Sequence, residues 1–403
     1  MNSTTFEKLI SLLGGVLIVS ILFVPDIHLK SGWPAFQCVD FLLPIVGVTL
    51  LMRGKTLNLN KYWILFLLFC AYIPITMHLN GRTGVISDYL EIYKLLKFGI
   101  LILFFGLLDY GSFSKHWFKP IFVAVTFVNL LHFFNLFGVN ELLYDIYGGI
   151  NLEYFGLDSL KNPATKRLTG MASSPNINAI IFAFFAVYFL PLKFDKSKFF
   201  WFLGAILMLF LCQSRTAIVA LMGILIVIAI LRLSDWSWKQ WSAVIGSLVG
   251  LYLISWALVT NFFSFQSYSN NIVSNSAMGR LETWAYLFDM IKEQPIFGYG
   301  VNKQYFYDRQ LYSENEYVLM WWRYGIIGLL LYLGIFLIPV RYYLKKRTES
   351  LLFKKGLLFI VFILIVALAN NPYQDRTSML LIAVTLGLTW PLSRSSAGSK
   401  SPQ

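Results

Sequence analysis

Long apolar runs alternate with short charged segments along the whole of this 403-residue chain. Runs of about 17 to 25 residues match the length a helix needs to cross a hydrocarbon core of roughly 30 Å. The pattern predicts about twelve such spans, at 9–25, 36–52, 61–77, 91–109, 118–137, 175–192, 199–213, 215–233, 241–261, 317–340, 356–370 and 377–392. Backbone N–H and C=O groups cannot stay unpaired in lipid, so each run is predicted as a helix. The expected fold class is an all-α polytopic membrane protein, one helical bundle over 1–403 with loops at 138–174 and 262–316. The larger loop lies between the ninth and tenth spans. The split at Gln213-Ser214-Arg215-Thr216 reads either as a hairpin tip or as a kink.

Composition agrees: 57% of residues are apolar and 13% charged, where a soluble domain carries about 25% charged residues. The net charge of +13 looks at first like a nucleic-acid or anionic-lipid signal. Its distribution argues for topology instead. With both termini inside, more than half of the 33 basic residues fall in short inner loops and tails: Lys8, Arg53, Lys55, Lys61, Lys115, Lys119, Lys193, Lys196, Lys198, Arg232, Lys239, the cluster from Arg341 to Lys355, Arg394 and Lys400. The positive-inside rule then turns loops 138–174 and 262–316 outward, to the periplasm in a bacterium. The Ser-rich stretch 393–403 reads as a disordered cytoplasmic tail. No cleavage site follows the first apolar run, which is read as a retained span. Cys38, Cys70 and Cys212 have neither metal-ligand spacing nor the pattern of a disulfide framework.

Candidate chemistry gathers on the outer side. Arg167, Arg215, Arg280 and Arg376 all fall at the outer ends of apolar runs or in the outer loops. Guanidinium forks suit phosphate oxygens, and several at one level would form a pocket for a lipid-linked diphosphate. The alternative is that each snorkels to head groups or pairs with a carboxylate. Arg215 resists that alternative, because Asp195 and Asp235, its nearest acidic neighbours in sequence, belong to the other side. In the large loop, Trp284, Leu287, Phe288 and Ile291 predict an amphipathic helix from about Arg280 to Lys292, stopped by Pro295 and a turn at Gly298-Tyr299-Gly300. Such a helix is also consistent with lying on the bilayer surface. Glu314 and Glu316 flank Asn315 at the mouth of the tenth span. A carboxylate held at an apolar boundary is a candidate general base; on spacing alone, helix capping is the stronger reading. His28, His78, His116 and His132 lie outside loop 262–316, and no metal-ligand cluster or nucleophile elbow is present. No metal or cofactor is expected.

Several of these segments together resemble the bacterial O-antigen ligase/polymerase family. They are Arg167-Leu168-Thr169-Gly170 followed by Ser174-Pro175-Asn176, then Gln213-Ser214-Arg215-Thr216-Ala217, then Gly279-Arg280 with Trp284, Pro295 and Gly298-Tyr299-Gly300, and last Asn315 with Gly325-Ile326-Ile327-Gly328. The resemblance implies a metal-independent, inverting glycosyltransferase of the bacterial inner membrane, active on its periplasmic face. Its donor and acceptor would be glycans on undecaprenyl diphosphate, with no nucleic acid involved and a chain-length regulator left open as a further partner. Arg215 and Arg280 match family arginines expected to hold the leaving diphosphate. Arg167, Asn176, Asn315, Tyr317 and Arg376 are expected to bind substrate. The ligase branch carries a His-Asn pair where this chain has Glu314-Asn315, so the resemblance points to the polymerase branch with Glu314 as base; a ligase acting on lipid A–core is the alternative. A lipid-linked oligosaccharide flippase is a remote third reading, because transporters commonly show internal repeats and broken midplane helices, and neither is expected here.

Overall fold

The computed structural model describes residues 3–27, 36–52, 61–82, 85–147, 167–172, 174–193, 195–231, 233–234, 236–262, 272–309, 311, 313–347 and 350–389. The stretch 148–166, segment 263–271, Asp235 and the proposed tail 393–403 lie outside the described residues. Within them the chain is helical, with a single isolated bridge between Ile27 and Phe36. The α-helices are α1 (Ser3–Phe23), α2 (Cys38–Met52), α3 (Lys61–Leu79), α4 (Ile86–Phe105), α5 (Tyr110–Phe134), α6 (Val139–Tyr147), α7 (Pro175–Phe189), α8 (Lys196–Leu211), α9 (Arg215–Ile230), α10 (Trp238–Phe262), α11 (Ile272–Glu293), α12 (Lys303–Arg309), α13 (Glu316–Lys346), α14 (Leu351–Val366) and α15 (Arg376–Thr389).

Every predicted apolar run coincides with one of these helices, as a multi-pass membrane protein requires. Among the described residues, four stretches are long and apolar enough to cross a membrane on their own: Thr5–Phe23, Tyr62–Leu79, Tyr110–Phe134 and Glu316–Lys346. Helices α7 and α15 are apolar but have only 15 and 14 residues, a reach of about 21 to 23 Å at 1.5 Å per residue. They are also enclosed by protein. All of α7 except Asn176 is buried, and α15 is buried from Ser378 to Thr389. These two helices form the centre of the bundle, α7 against α8, α9, α14 and α15, and α15 also against α4. The turn at 212–214 separates α8 from α9, with Gln213 left-handed (φ 51) and Ser214 Oγ capping α9.

The loop helix α11 begins earlier than predicted, at Ile272. Of its anticipated apolar face, Leu287 and Ile291 are buried against Val318 and Trp322 of α13, while Phe288 stays exposed. The helix therefore leans on the bundle. What fastens it is a break in α13 at Gly325 (φ 63, ψ −171). Unwinding there frees backbone groups that need partners. The segment after α11 supplies them: Tyr299 N donates to Trp322 O (2.9 Å) and Ile326 N donates to Pro295 O (2.9 Å). Tyr72 Oη of α3 donates to Tyr324 O (3.1 Å). The approach is too close for side chains. A Cβ at Gly298 would lie 2.5 Å from Gly325 N, and one at Gly325 would lie 2.0 Å from Ile296 O. This interruption corrects the expectation of unbroken helices. It lies near the loop end of α13, where the docked segment explains it.

Both glycines also hold positive φ, which costs an L-residue about 1 to 2 kcal/mol before any clash. Gly298→Ala and Gly325→Ala are each expected to cut the yield of monodisperse protein several-fold in size-exclusion chromatography. Gly47→Ala, whose added methyl meets nothing within 4 Å, should leave it unchanged. Normal elution of the first two variants would refute the docking role.

Candidate functional site

On the loop side, α11 brings Arg280 to Glu314, where its Nε donates to Oε2 in an ion pair with side chains 31% and 41% exposed. The loop segment beside it is held in place from the same helix, since Trp284 Nε1 donates to Ser313 O. Glu314 takes a left-handed backbone (φ 43) just ahead of α13, and this turn directs its side chain away from the helix it precedes. Asn315 is the cap, its Oδ1 accepting from Tyr317 N (3.0 Å) and Val318 N (3.1 Å). Tyr317 Oη donates to Leu364 O of α14 (2.6 Å). The carboxylate at an apolar boundary is therefore Glu316 and not Glu314. Glu316 is 0% exposed and accepts from Tyr373 N (2.8 Å) and Gln374 Nε2 (3.4 Å), so it anchors the turn between α14 and α15. Nearby, Tyr299 stacks on Trp322 with centroids 5.2 Å apart. Burial, then the Glu293 carboxylate that accepts its O–H (3.0 Å), push its phenol up to about 12.

Arg167 does not present a free fork. Its Nε donates to Cys212 O (3.1 Å) and its Nη2 to Gln213 O and Asn176 Oδ1 (both 3.2 Å). Asn176 Nδ2 continues the chain to Asn370 Oδ1 (3.0 Å). Arg167 and Asn176 thus brace the turn from which exposed Arg215 starts α9. Arg376 donates to Asp26 Oδ2 (2.6 Å). Of the four arginines singled out from the sequence, Arg376 alone lines the cavity described next.

That cavity, of about 650 Å³, opens between the start of α2, the first turns of α4, α12, the start of α13 and the α14–α15 turn. Ser313, next to Glu314, is on its wall. Five cations line it, Lys94, Lys97, Lys303, Arg323 and Arg376, against two carboxylates, Asp40 and Glu91. Sequence reasoning passed over most of them, although ionisable residues inside predicted spans 36–52 and 91–109 were themselves a signal, since charge at membrane depth is costly and usually faces a cavity or a partner.

Residues 200–333 match the family model described as O-Antigen ligase. The matched segment includes Arg215, Arg280 and Glu314. No curated protein matches the chain.

The Arg167 geometry makes a prediction of its own. Arg167→Ala removes three hydrogen bonds to partly buried acceptors, at about 1 to 3 kcal/mol for each partner left unsatisfied. It should lower the thermal unfolding midpoint by several degrees. Arg167→Lys should recover little, because an ammonium cannot bridge two carbonyls and an amide with one planar fork. Unfolding at the wild-type temperature would show that the brace contributes nothing.

Proposed function

We propose that this chain is a member of the O-antigen ligase/polymerase family, whose model matches residues 200–333, and that it is a surface-polysaccharide polymerase that joins repeat units carried on undecaprenyl diphosphate by inverting, metal-independent glycosyl transfer. The observation that carries this reading is the Arg280–Glu314 pair inside the matched segment, an arginine and a carboxylate in contact and open to solvent. In the resting arrangement Arg280 is occupied by Glu314. A donor diphosphate, with more negative charge, competes for that guanidinium and frees the carboxylate as it binds. The hydroxyl of the acceptor sugar then attacks the anomeric carbon from the face opposite the diphosphate. Its proton passes to Glu314, and the C–O bond to the diphosphate breaks with its electron pair leaving on the phosphate. Arg280, joined by Arg215, steadies that leaving charge without a metal, the kind of preorganised electrostatic help that is usually the largest catalytic contribution.

The remaining residues take supporting parts: Arg167 and Asn176 position Arg215's turn, Asn315 and Tyr317 fix the start of α13 beside Glu314, and Arg376 faces the cavity. The proposed setting is a twelve-span bundle in the inner membrane, with cytoplasmic termini and with Arg280 and Glu314 on the periplasmic side. The second reading, a ligase that transfers the finished chain to lipid A–core, is favoured by the description of the matched family model. Glu314 at the position of the ligase branch's histidine favours the polymerase.

Arg280→Ala and Glu314→Ala are each expected to abolish long-chain glycan while the protein remains at wild-type level in the membrane. Glu314→Gln should lower transfer by roughly 10² to 10⁴, the range for loss of a general base. Normal glycan ladders from these variants would remove Arg280 and Glu314 from the mechanism. A deletion strain separates the two readings. Core bearing a single repeat unit marks a polymerase, and bare core with accumulated lipid-linked polymer marks a ligase.

A further inference from the structure

The cavity beside Ser313 is built differently from the Arg280–Glu314 pair. Lys97 Nζ is matched to Asp40 (2.8 Å) and also donates to Gln37 Oε1 (3.0 Å). Lys94 and Lys303 share one carboxylate, Glu91, each at 2.8 Å. Arg376 is turned to Asp26 at the rim. Arg323 is 6% exposed, and its hydrogen bond to the cavity wall goes to the neutral Gln374 Oε1 (2.9 Å). Among the described residues no carboxylate pairs with it. The lining therefore carries two positive charges that no lining carboxylate or Asp26 answers; Glu316, behind Gln374, offsets part of this from outside the wall. Two buried polar atoms on the wall also lack a hydrogen-bond partner, Arg323 Nε and Asn371 Oδ1, although buried polar groups are nearly always satisfied.

We propose that this cavity is a second anion site, distinct from Arg215 and Arg280, which takes a phosphate or diphosphate group together with the first sugar attached to it. Arg323 supplies the guanidinium and Lys94, Lys97 and Lys303 the surrounding charge. Asp40, Gln37 and Asn371 offer the acceptors and donors that sugar hydroxyls need. A volume of about 650 Å³ lies within the range of roughly 300 to 1,000 Å³ typical of small-ligand sites. Assigning the occupant as the acceptor's diphosphate rests on the polymerase reading; the anion site itself does not. A reaction that joins two lipid-linked glycans needs two such sites, and Ser313, on the cavity wall, is the residue next to the proposed base.

The test uses the full chain in nanodiscs of zwitterionic phospholipid, titrated with farnesyl diphosphate and, separately, with inorganic pyrophosphate. Arg280→Ala is the parent, so that diphosphate held by the donor site is weakened. Adding Arg323→Gln is expected to reduce the remaining affinity at least tenfold, and adding Lys303→Ala about threefold. Lys303 is on the more open wall, and its variant keeps the proposal testable if Arg323→Gln folds poorly. Binding of farnesyl diphosphate alone identifies a lipid-borne group, and equal binding of pyrophosphate identifies a soluble one; both support the anion site. It is overturned if neither probe binds the parent, or if both double variants bind as the parent does. Loss of affinity at Arg323 with wild-type activity in Arg280→Ala would instead retain the cavity and reject the donor-site reading.

Discussion

The close contact between Gly298 and Gly325 governs the geometry of the whole loop side. Two backbones meet there with no side chain between them, and the hydrogen bonds they exchange replace those that α13 loses by unwinding. One contact thus sets several things. It fixes where α11 ends, and with it the reach of Arg280. It sets the first turns of α13, and so the positions of Glu314, Asn315 and Glu316. It also places Arg323, two residues before the break, on the cavity wall. A helix that continued through Gly325 would have no free carbonyl at Trp322 with which to hold the loop.

Charge inside an apolar bundle has to be accounted for locally, because removing one partner of a buried pair leaves the other uncompensated at several kcal/mol. Several of the buried ions here are so matched, Lys97 with Asp40 and Glu91 with Lys94 and Lys303. Asp88 is likewise buried against Arg82. The surplus at Arg323 differs from these pairs in facing the cavity, and the pairing of Arg280 with Glu314 differs in lying at the solvent boundary, where an ion pair is weak and readily exchanged. Buried pairs suit scaffolding. An exposed pair suits substitution by a ligand.

What the residues disclosed in advance follows from range. Apolar runs are local signals, and each one marked a helix. The Pro295 and Gly298-Tyr299-Gly300 stop, the cap at Asn315 and the apolar stripe of α11 are likewise set within a few positions. Three things were not legible. The acidic residue at the apolar boundary turned out to be Glu316, because a left-handed backbone at Glu314 redirects one side chain and leaves its neighbour buried. Arg167 engages main-chain carbonyls, whose positions depend on a turn far along the chain. The cavity joins residues from α2, α4, α12, α13 and α15, and no spacing along one segment reveals such a convergence. Ions embedded in the second and fourth apolar runs were the one available hint.

The turn between α14 and α15 has a role that follows from its attachments. At one end Asn370 reaches Asn176, and through it the Arg167 brace beneath Arg215. At the other, Gln374 accepts from both Arg323 and Lys94 while donating to Glu316. A short, pinned span of backbone therefore links the brace beneath Arg215 to the cavity wall at Arg323. Under the proposed two-site reaction, glycan heads gripped at its ends would meet at a constant separation on every cycle, so that the ruler for each new linkage would be part of the scaffold and not of the sugars being joined.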